Sequence, residues 1–582
     1  MKWIKRPVSD SYELFVKNGY SRVIATTLAM SGITTLEDAR TFLHSKELFD
    51  SSLIRNIDEA IELMERYIDN QERICIFGDY DVDGTTATAI AFTALKTFGA
   101  NVVYRLPDRI NEGYGISKKA IIEQLAEGTK LFITVDNGIR AIEEIKYARE
   151  NGAQVIVLDH HQPGEIIPDA DVTIDLYIEG ETYPFIDLTG SALAWKVFSH
   201  LLQKYGFDEV ADSLIDLAAI GTIADVASLV GENRAIVKRA IDYMRSPIYN
   251  RKGIIKLFQG DMSTITAENI SFLIAPRINA AGRLLENGAD IPTALFLEED
   301  DLKAEQMAQE LSRINTERKL IQSKCYKELK PVIEEQVSLG NKVLVLFAKD
   351  APSGVVGLLA GNATEEYHRP TIVFSEKNNI DGTKIWTGSA RSIEQFHMLS
   401  ALEECADCLE RFGGHALAAG MSIKPEESAL LELRKRLNAN CTLTDEDVEP
   451  CAYWDIEISE EDVGDALVND LRNLEPFGEG CRRPTFKINL KVLPNGSKLY
   501  DTIGETEEHL KLYCKGFTAV GFWMVSQYVD DNQPRIIEAI GYVDKKIFKG
   551  NTYFQFVMDD YHPYIKEDSD IVLDLKDMLF NL

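Results

Sequence analysis

The sequence predicts an α/β protein with a mainly parallel sheet, a second α/β domain and a β-rich C-terminal part. Apolar strand-like runs alternate with helix-like stretches from residue 73 to about 230, and a second such pattern runs from 342 to about 440. From about 452 onward, short strand-like runs are separated by turn residues. Strands that alternate with helices are typical of βαβ units, whereas closely spaced short strands indicate a β-barrel or a sandwich.

The first α/β pattern opens with the apolar run Ile74–Phe77, and Thr85–Phe98 is predicted to form the helix that follows it. Asn101–Tyr104 and the runs at 131–135 and 154–158 are the next predicted strands. Because these strands alternate with helical stretches, we expect them to be parallel and to place their carboxyl ends at one edge of the sheet.

Residues 301–330 contain neither glycine nor proline and are rich in Glu, Lys, Gln and Leu, so they predict a long helix that bridges two domains. Pro331 is expected to end or kink this helix. The polar and acidic run 442–449 is typical of a linker. Turns at 494–496 and 549–551 divide the β-rich part that follows.

The 582 residues are enough for several domains, and the net charge of −31 argues against an extensive nucleic-acid-binding surface while leaving room for a local basic channel. No secretory signal follows Met1 and no apolar run approaches membrane-spanning length, so we expect a cytoplasmic protein without membrane contact. The eight scattered cysteines suit a reducing compartment. Cys405 and Cys408 form the only CxxC, on a predicted helix, where a structural role is favoured over redox or metal chemistry.

Acidic motifs follow three of the predicted strands. They are Asp79, Asp81 and Asp83 after the first apolar run, Asp136-Asn137-Gly138 after the run at 132–135, and Asp159-His160-His161 after the run at 155–158. Carboxylates this close together repel one another unless cations or protons hold them. Because ligands gather at the carboxyl ends of parallel strands, the pattern predicts a metal site.

Two other interpretations of the first acidic run are weaker. An EF-hand loop that starts at Asp79 needs a bidentate Glu at its twelfth position, where the sequence has Ile90, and the preceding run resembles a strand. A solvated acidic turn does not account for the two further acidic motifs at matching strand ends. The pair His160-His161 by itself fits a helix cap or a buried polar pair equally well, but the acids expected nearby favour metal ligation.

A mixed set of carboxylates and imidazoles favours Mn²⁺ or Mg²⁺ over Ca²⁺, and the imidazoles favour Mn²⁺. The candidate ligands are too many for one octahedral ion. Two ions that share a bridging carboxylate, about 3.5–4 Å apart, fit the set better.

Together these motifs resemble the DHH phosphoesterase superfamily and, within it, the RecJ family of single-strand-specific exonucleases. The resembling segments, in chain order, are 78–84, 111–115, 136–138, 159–161, 221–226 and 276–283. Those at 111–115 and 276–283 are characteristic of the RecJ branch. The resemblance covers about residues 70 to 560.

The resemblance implies a parallel-sheet DHH domain and a second α/β, DHH-associated domain that are joined by the long helix and followed by a β-barrel OB-fold. The expected parts are an N-terminal region (1–70), a DHH domain (71–235), a helical linker region (236–338), a DHH-associated domain (339–440), an OB-fold (450–562) and an acidic C-terminal tail (563–582). An OB-fold binds single strands by stacking and groove charge.

The resemblance also implies roles for individual residues. The expected metal ligands are Asp79, Asp81, Asp83, Asp136, His160 and Asp225. The expected catalytic residues are Asp136, His160 and His161, with Asp79 and His161 as ligands or as supports of the ligands. The expected substrate-binding residues are Arg109, Arg277, Arg283, Ser389, Arg391, Gly413, Gly414 and His415.

Physical chemistry agrees with the substrate-binding residues, because glycines let backbone N–H groups approach an anion and an arginine fork fits phosphate oxygens. Taken alone, Gly413-Gly414 would fit a tight turn. The family often has a Trp-His pair just before a Gly-Val-Ile-Gly segment, whereas this chain has Ala351-Pro352 before Ser353-Gly354. We therefore expect its grip on the nucleotide to differ.

The resemblance implies a 5′–3′ exonuclease for single-stranded DNA in recombination and repair, with two divalent ions. Single-stranded DNA is the expected partner, a single-strand-binding protein and a helicase are candidate protein partners, and a monomer is expected. Two alternatives are a phosphodiesterase for short oligonucleotides, cyclic dinucleotides or pyrophosphate, and a non-catalytic replication or repair scaffold. The OB-like segment argues against the first alternative and the complete acidic set against the second.

Overall fold

The computed structural model describes residues 1–109, 112–378, 383–504, 506–548 and 551–564. Asn111, the predicted turn at Lys549 and Gly550, and the predicted tail beyond residue 564 lie outside this part of the chain. The chain divides into two compact units. The larger is Lys46–Pro450 with Gly478–Gly480, and the smaller contains Met1–Ser45, Cys451–Phe477 and the chain from Cys481 onward. The expected N-terminal region 1–70 is thus divided between the two units after Ser45.

The larger unit contains a five-stranded sheet in which every neighbouring pair is parallel, as the alternating pattern predicts. The strands, in spatial order, are Val102–Arg105, Arg73–Phe77, Thr129–Val135, Gln154–Leu158 and Val172–Ile174. Alternate residues enter cores on opposite faces: Ile74 and Ile76 on one face, Cys75 and Phe77 on the other. Burial on both faces explains why these strands are continuous apolar runs.

Helices surround this sheet and continue into a helical region. Their bounds are Ile57–Asp69, Val82–Thr97, Lys118–Ala126, Ile142–Glu150, Gly190–Lys204, Asp208–Ser213, Ile215–Ala224, Gly231–Met244, Lys252–Phe258, Ala267–Asn269, Ala275–Leu284 and Asp290–Leu297. A π-helical segment, Ile270–Ile274, precedes Ala275–Leu284. The helix predicted from Thr85 begins three residues earlier, because the Asp81 side chain caps its N-terminus by accepting from the Gly84 N–H at 3.0 Å.

The predicted long helix is present, but the expectation that Pro331 ends it is wrong. The helix spans Asp301–Ser338 with Pro331 inside it. Its last two turns are held by tertiary contacts: Ile333 is fully buried, and the Gln336 amide exchanges two hydrogen bonds with the Val345 backbone at 2.9 and 3.1 Å. These contacts outweigh the one backbone donor that proline removes.

The second α/β pattern forms a five-stranded sheet in the same unit. Its strands, in spatial order, are Arg411–Gly414, Ala418–Ile423, Lys384–Arg391, Thr371–Asn378 and Leu344–Phe347, and the accompanying helices are Val356–Tyr367, Met398–Glu403 and Glu427–Ala439. Only the last two strands of that order are parallel. The helix predicted at the CxxC is wrong, because Met398–Glu403 ends before it and Ala406–Cys408 is a 3₁₀ turn. All eight cysteines are free thiols.

The smaller unit is built around a seven-stranded sheet, which agrees with the predicted β-rich part. Its strands, in spatial order, are Ile456–Ile458, Phe486–Lys491, Ile536–Phe548, Asn551–Pro563, Thr518–Gly521, His509–Tyr513 and Tyr500–Ile503. Lys2–Lys5 pairs in parallel with Cys451–Trp454, and the helices are Ser11–Lys17, Arg22–Met30, Leu36–His44, Asp465–Leu474 and Val525–Asp530. The predicted α/β class is confirmed. Within the described ranges, every helix is too short or too polar to cross a membrane.

Candidate metal centre and phosphate-binding residues

The carboxyl ends of three neighbouring parallel strands bring the predicted metal ligands to one place. The run from Asp79 to Asp83 leaves Arg73–Phe77, Asp136 follows Thr129–Val135, and His160 follows Gln154–Leu158. Asp225 comes from the C-terminal end of the helix Ile215–Ala224. The shared edge of the sheet therefore gathers acids that are far apart in sequence.

All six predicted ligands fall into groups in which one side-chain oxygen or nitrogen of each member lies within 4.8 Å of the others. These groups are Asp79, Asp81 and Asp136; Asp83, His160 and Asp225; and Asp136, His160 and His161. His160 Nε2 lies 3.0 Å from Asp136 Oδ1 and 3.7 Å from Asp83 Oδ2. The first two groups share no member, so the set is large enough for two ions.

The acids are buried in a way that fits bound cations. Asp79, Asp83 and Asp136 are at most 2% exposed, and Asp79 Oδ2 is buried without a hydrogen-bond partner. Burial and neighbouring carboxylates raise the pKa of Asp136 and of Asp79 well above the usual range. The same two causes raise the pKa of Asp225 to about 8. Such a cluster is costly when ionised and alone, and hard divalent cations remove that cost.

Backbone groups approach the cluster closely at two glycines. The N–H groups of Gly190 and Ser191 donate to the Asp83 carboxylate at 2.7 and 3.0 Å. A Cβ on Gly190 would lie 2.5 Å from the Cβ of Asp136, and one on Gly221 would lie 2.4 Å from Asp83 Oδ1. Asp136 itself has a φ of 60°, a left-handed conformation that non-glycine residues adopt rarely and mostly at functional positions.

Asp159 is a positioning residue that sequence reasoning missed, although it begins the Asp-His-His motif. Its carboxylate lies 2.8 Å from His161 Nδ1 and accepts from the N–H groups of His160 and Ile139, both at 2.8 Å. Burial opposes its ionisation, but the hydrogen bond and charge of His161, followed by the Ile139 N–H, outweigh burial and lower the pKa of Asp159. In return, Asp159 outweighs the effect of burial on His161 and raises the pKa of that imidazole.

Tyr114 is a second residue that sequence reasoning left without a role. Its hydroxyl lies 3.1 Å from the Asp136 carbonyl oxygen and 3.1 Å from His161 Nδ1. A cavity of about 740 Å³ is lined by Tyr114, His161 and Asp225 together with His415 from the second α/β region. The predicted substrate-binding residue His415 therefore borders the same cavity as the metal cluster.

Three of the predicted phosphate-binding arginines lie near one another. Arg283 donates to the Gly354 carbonyl at 2.8 Å, and Arg391 donates to Ser389 Oγ at 3.2 Å. Arg109 lies over the Tyr80 ring, 4.8 Å from its centre. Burial, followed by the charges of Arg109, Arg318 and Arg391, lowers the pKa of Arg283 to about 9. Arg318 is thus a fourth member that the sequence did not reveal.

Other predicted substrate residues have contacts outside the arginine cluster. The Arg277 guanidinium donates to the Leu257 carbonyl, and burial lowers its pKa. Gly413 and Gly414 are exposed on the strand Arg411–Gly414, where Gly413 pairs with Gly420. A role for Arg277, Gly413 and Gly414 in substrate binding stays a prediction.

The chain matches three family models in order along its length. They are the N-terminal domain of the DHH family over residues 73–222, the DHHA1 domain over 340–442 and the RecJ OB domain over 454–560. With the parallel sheet and the acidic cluster at its edge, these matches define a protein of the DHH class.

Individual relatives narrow this class. The single-stranded-DNA-specific exonuclease RecJ of Salmonella typhimurium is 30% identical over 541 residues, which cover 88% of this chain and 91% of the relative. That of Bacillus subtilis is 37% identical over 522 residues, which cover 88% of this chain but 64% of the relative. The chain belongs to the RecJ family.

Solved RecJ structures also resemble this chain. RecJ of Thermus thermophilus in complex with Mn²⁺ is 27% identical to this chain, with a TM-score of 0.77. The superposition covers 97% of this chain and 80% of the Thermus chain. The same enzyme in complex with Mg²⁺ is 25% identical, with a TM-score of 0.72 over 97% of this chain and 78% of its own.

Proposed function

We propose that the chain is a metal-dependent exonuclease that hydrolyses single-stranded DNA from the 5′ end, in DNA recombination and repair. The observation that carries this proposal is the convergence of Asp79, Asp81, Asp83, Asp136, His160 and Asp225 at one edge of the parallel sheet. Membership of the RecJ family supports the substrate and the polarity, since the relatives are single-stranded-DNA-specific exonucleases.

The acidic cluster would hold two Mn²⁺ or Mg²⁺ ions, and Asp136, which belongs to two of the three ligand groups, would be the candidate for the carboxylate that they share. When bound, such ions lower the pKa of a water and stabilise the leaving oxygen of a phosphodiester. The protein fixes the ligands in advance: the Gly190 and Ser191 N–H groups orient Asp83, and the left-handed Asp136 directs its carboxylate towards His160. Because the ligands are already ordered, the free-energy cost of ordering them is not added to the barrier of the reaction.

His161 stands at the border between the metal cluster and the cavity. Asp159 holds its Nδ1, and the raised pKa keeps a proton available beside the cavity. His161 therefore serves as a ligand or as a proton donor to the departing oxygen, as a general acid does. Arg109, Arg283 and Arg391 hold phosphates of the strand through charge-assisted forks.

The wider setting is also part of this proposal. We infer a monomer in the cytoplasm; the eight free thiols agree with the reducing compartment and do not bear on the oligomeric state. A single-strand-binding protein or a helicase would deliver the single-stranded DNA substrate. A cleft that admits one strand but excludes a duplex, which is about 20 Å wide, would provide the strand selectivity.

Digestion of 5′- and 3′-labelled single-stranded and duplex DNA with Mn²⁺ tests the proposal. We expect the 5′-label to be released first as mononucleotides from single strands and the duplex to stay intact. Release of the 3′-label first, or equal rates on duplex, would contradict it. Chelation by EDTA should stop the reaction, and added Mn²⁺ should restore it.

The two alternatives give different results in a length series of labelled oligonucleotides. A small-substrate phosphodiesterase would cleave substrates of two to four nucleotides and leave longer strands intact. A scaffold would bind long strands and cleave none of them with either ion.

A further inference from the structure

The predicted metal ligand Asp225 lies at the C-terminal end of the helix Ile215–Ala224, where the chain makes a left-handed turn. The N–H groups of the two residues after Asp225 donate to the Ile223 and Thr222 carbonyls, both at 3.3 Å. This pair of hydrogen bonds is typical of a Schellman motif, in which Val226 is the left-handed residue with a φ of 59°. The direction in which Asp225 leaves the helix therefore depends on this turn.

Valine is an unfavourable residue at the left-handed position. Glycine is usual there, because a β-branched side chain crowds the backbone when φ is positive. The Val226 side chain is 66% exposed, so its burial contributes little to the stability of the turn. The turn therefore needs support from contacts outside its own helix. Asn233 supplies one of them, since its Nδ2 donates to the Ser228 carbonyl at 3.3 Å.

A shorter contact comes from the tripeptide Gly478–Gly480, which is far away in sequence. This tripeptide belongs to the larger unit, although Phe477 before it and Cys481 after it belong to the smaller one. The Glu479 carbonyl accepts from the Leu229 N–H at 2.7 Å. Leu229 is 2% exposed, so this hydrogen bond is shielded from competing water. The tripeptide thus holds the loop that follows Asp225.

The two glycines of the tripeptide let its backbone approach this loop closely. A Cβ on Gly480, whose φ is 73°, would lie 2.3 Å from Ser228 Oγ and 3.1 Å from Val230 Cγ1. A Cβ on Gly478 would lie 2.6 Å from Leu229 Cδ1. A side chain at either position would therefore push the loop away from the tripeptide.

We propose that Gly478–Gly480 is a positioning segment of the metal centre, which holds the loop at residues 226–230 and thereby places Asp225 as a ligand. The inference rests on the proposed function, which supplies the two-ion centre. Asp225 belongs to one of the three ligand groups, the one with Asp83 and His160, and is not a member of the other two. Displacement of the segment should therefore weaken the binding of one ion and spare the other.

The first test is a calorimetric titration of the metal-free protein with Mn²⁺, without DNA. For Gly480→Ala we expect the affinity for one ion to fall about tenfold, as is usual when the support of a metal ligand is lost, and the affinity for the other to stay within about twofold. Asp225→Asn removes the ligand itself and should weaken the same ion. Unchanged affinities in Gly480→Ala, or an equal loss for both ions, would overturn the proposal.

The matched control is Gly496→Ala. Gly496 has a φ of 64°, close to that of Gly480, but a Cβ at this position would have no atom within 4 Å. The control therefore introduces the same backbone strain without a contact, and its Mn²⁺ affinities should stay within about twofold of the wild type. A loss as large as that of Gly480→Ala would trace the effect to backbone strain and overturn the proposal.

A second variant tests whether the effect passes through the loop. Ser228→Ala deletes the oxygen that the new methyl group of Gly480→Ala would meet most closely. In the Ser228→Ala background, adding Gly480→Ala should change the Mn²⁺ affinities by less than about threefold. A tenfold loss that persists in this background would mean that the substitution acts through another part of the molecule, and would overturn the proposal.

Strand binding and cleavage distinguish failure here from failure of the proposed function. Fluorescein-labelled oligo(dT) of twelve nucleotides, followed by anisotropy in EDTA, should bind wild type and Gly480→Ala with affinities within about twofold, whereas weaker binding by the variant would assign the segment to the strand and overturn the proposal. Cleavage by Gly480→Ala should need about tenfold more Mn²⁺ for half of its maximal rate.

The same Mn²⁺ dependence of cleavage in both proteins would contradict the positioning role alone. A wild-type protein that binds two Mn²⁺ ions and cleaves no strand would contradict the proposed function, and the calorimetric comparison would still decide the role of the segment.

Discussion

The acidic cluster and the arginine cluster both gather like charges in the larger unit, yet they differ in how they tolerate the absence of a ligand. Asp225, with a pKa of about 8, takes up a proton at neutral pH when no cation is present. Arg283, with a pKa of about 9, keeps its charge at the same pH. Protons can therefore neutralise part of the negative charge of the metal centre, whereas the arginines stay positively charged and are neutralised only by anions. We expect the first site to respond to pH and metal, and the second to ionic strength.

The largest effect is expected from removing a carboxylate that two ligand groups share. Asp136→Asn should lower kcat by about a thousandfold or more, because Asp136 belongs to both an all-carboxylate group and a histidine group. Strand affinity in EDTA should stay within about threefold, since the arginines are intact. Asp169→Asn is the control, as Asp169 is an exposed acid that pairs with Arg149. Cleavage at the wild-type rate by the Asp136 variant would contradict a role of the metal centre in the mechanism.

A methyl group can disturb the acids without changing any charge. Gly221→Ala would place a Cβ 2.1 Å from Ser191 Oγ and 2.4 Å from Asp83 Oδ1, so the carboxylate must move. We expect kcat to fall by about a hundredfold. Gly361→Ala, in the helix Val356–Tyr367 with open space around it, should leave activity unchanged and keep or raise the Tm. Equal activity of the two variants would show that the acids tolerate displacement.

Asp159→Asn tests whether the positioning of His161 matters. The amide keeps the shape but loses the charge that raises the pKa of His161. We expect kcat to fall about 10- to 100-fold, as is usual for groups that orient a metal ligand. The pKa of His161, followed by NMR titration, should move downward. A variant with a normal pKa for His161 and normal kcat would contradict the positioning role.

The arginine cluster should show graded effects on binding. Arg391→Gln should weaken binding of oligo(dT) about fivefold and make the salt dependence shallower. Arg277→Gln should have a smaller effect on affinity, because the Arg277 guanidinium already donates to the Leu257 carbonyl. Anisotropy at several salt concentrations measures both. A larger loss of affinity for Arg277→Gln than for Arg391→Gln would show that the strand passes Arg277 rather than the arginine cluster.

The smallest expected effect is a pH-dependent shift in Tm. The pKa of Asp225 is raised in the folded, metal-free protein, so the native state binds more protons than the unfolded state between about pH 4 and 8, and stability falls as pH rises through this range. Metal ions bind the ionised acids and reverse this loss. The increase in Tm on adding Mn²⁺ should therefore be larger at pH 8.5 than at pH 6, and calorimetry with and without the ion measures it. An increase that is independent of pH would contradict the coupling.

The sequence by itself determined the parallel sheet and the place of the metal centre. Apolar runs that alternate with helices fix the strand directions, and parallel strands bring Asp79, Asp136 and His160 to one edge whatever the loops do. Of the six predicted ligands, Asp79, Asp81, Asp83 and Asp136 come soon after buried strands and are conspicuous in the sequence, whereas Asp225 follows a helix and was expected only from the family resemblance.

Tertiary structure alone decided the rest, because burial and long-range contacts leave no local signal. Arg313 and Arg318 lie five residues apart on one helix, yet the first is exposed between two glutamates and the second is buried without an acid in the described residues. The helix continues past Pro331 because Gln336 exchanges hydrogen bonds with the Val345 backbone, a contact that local sequence rules for helices do not include. Local propensity acts over a few residues, whereas the electrostatic cost of a buried charge depends on the whole fold around it.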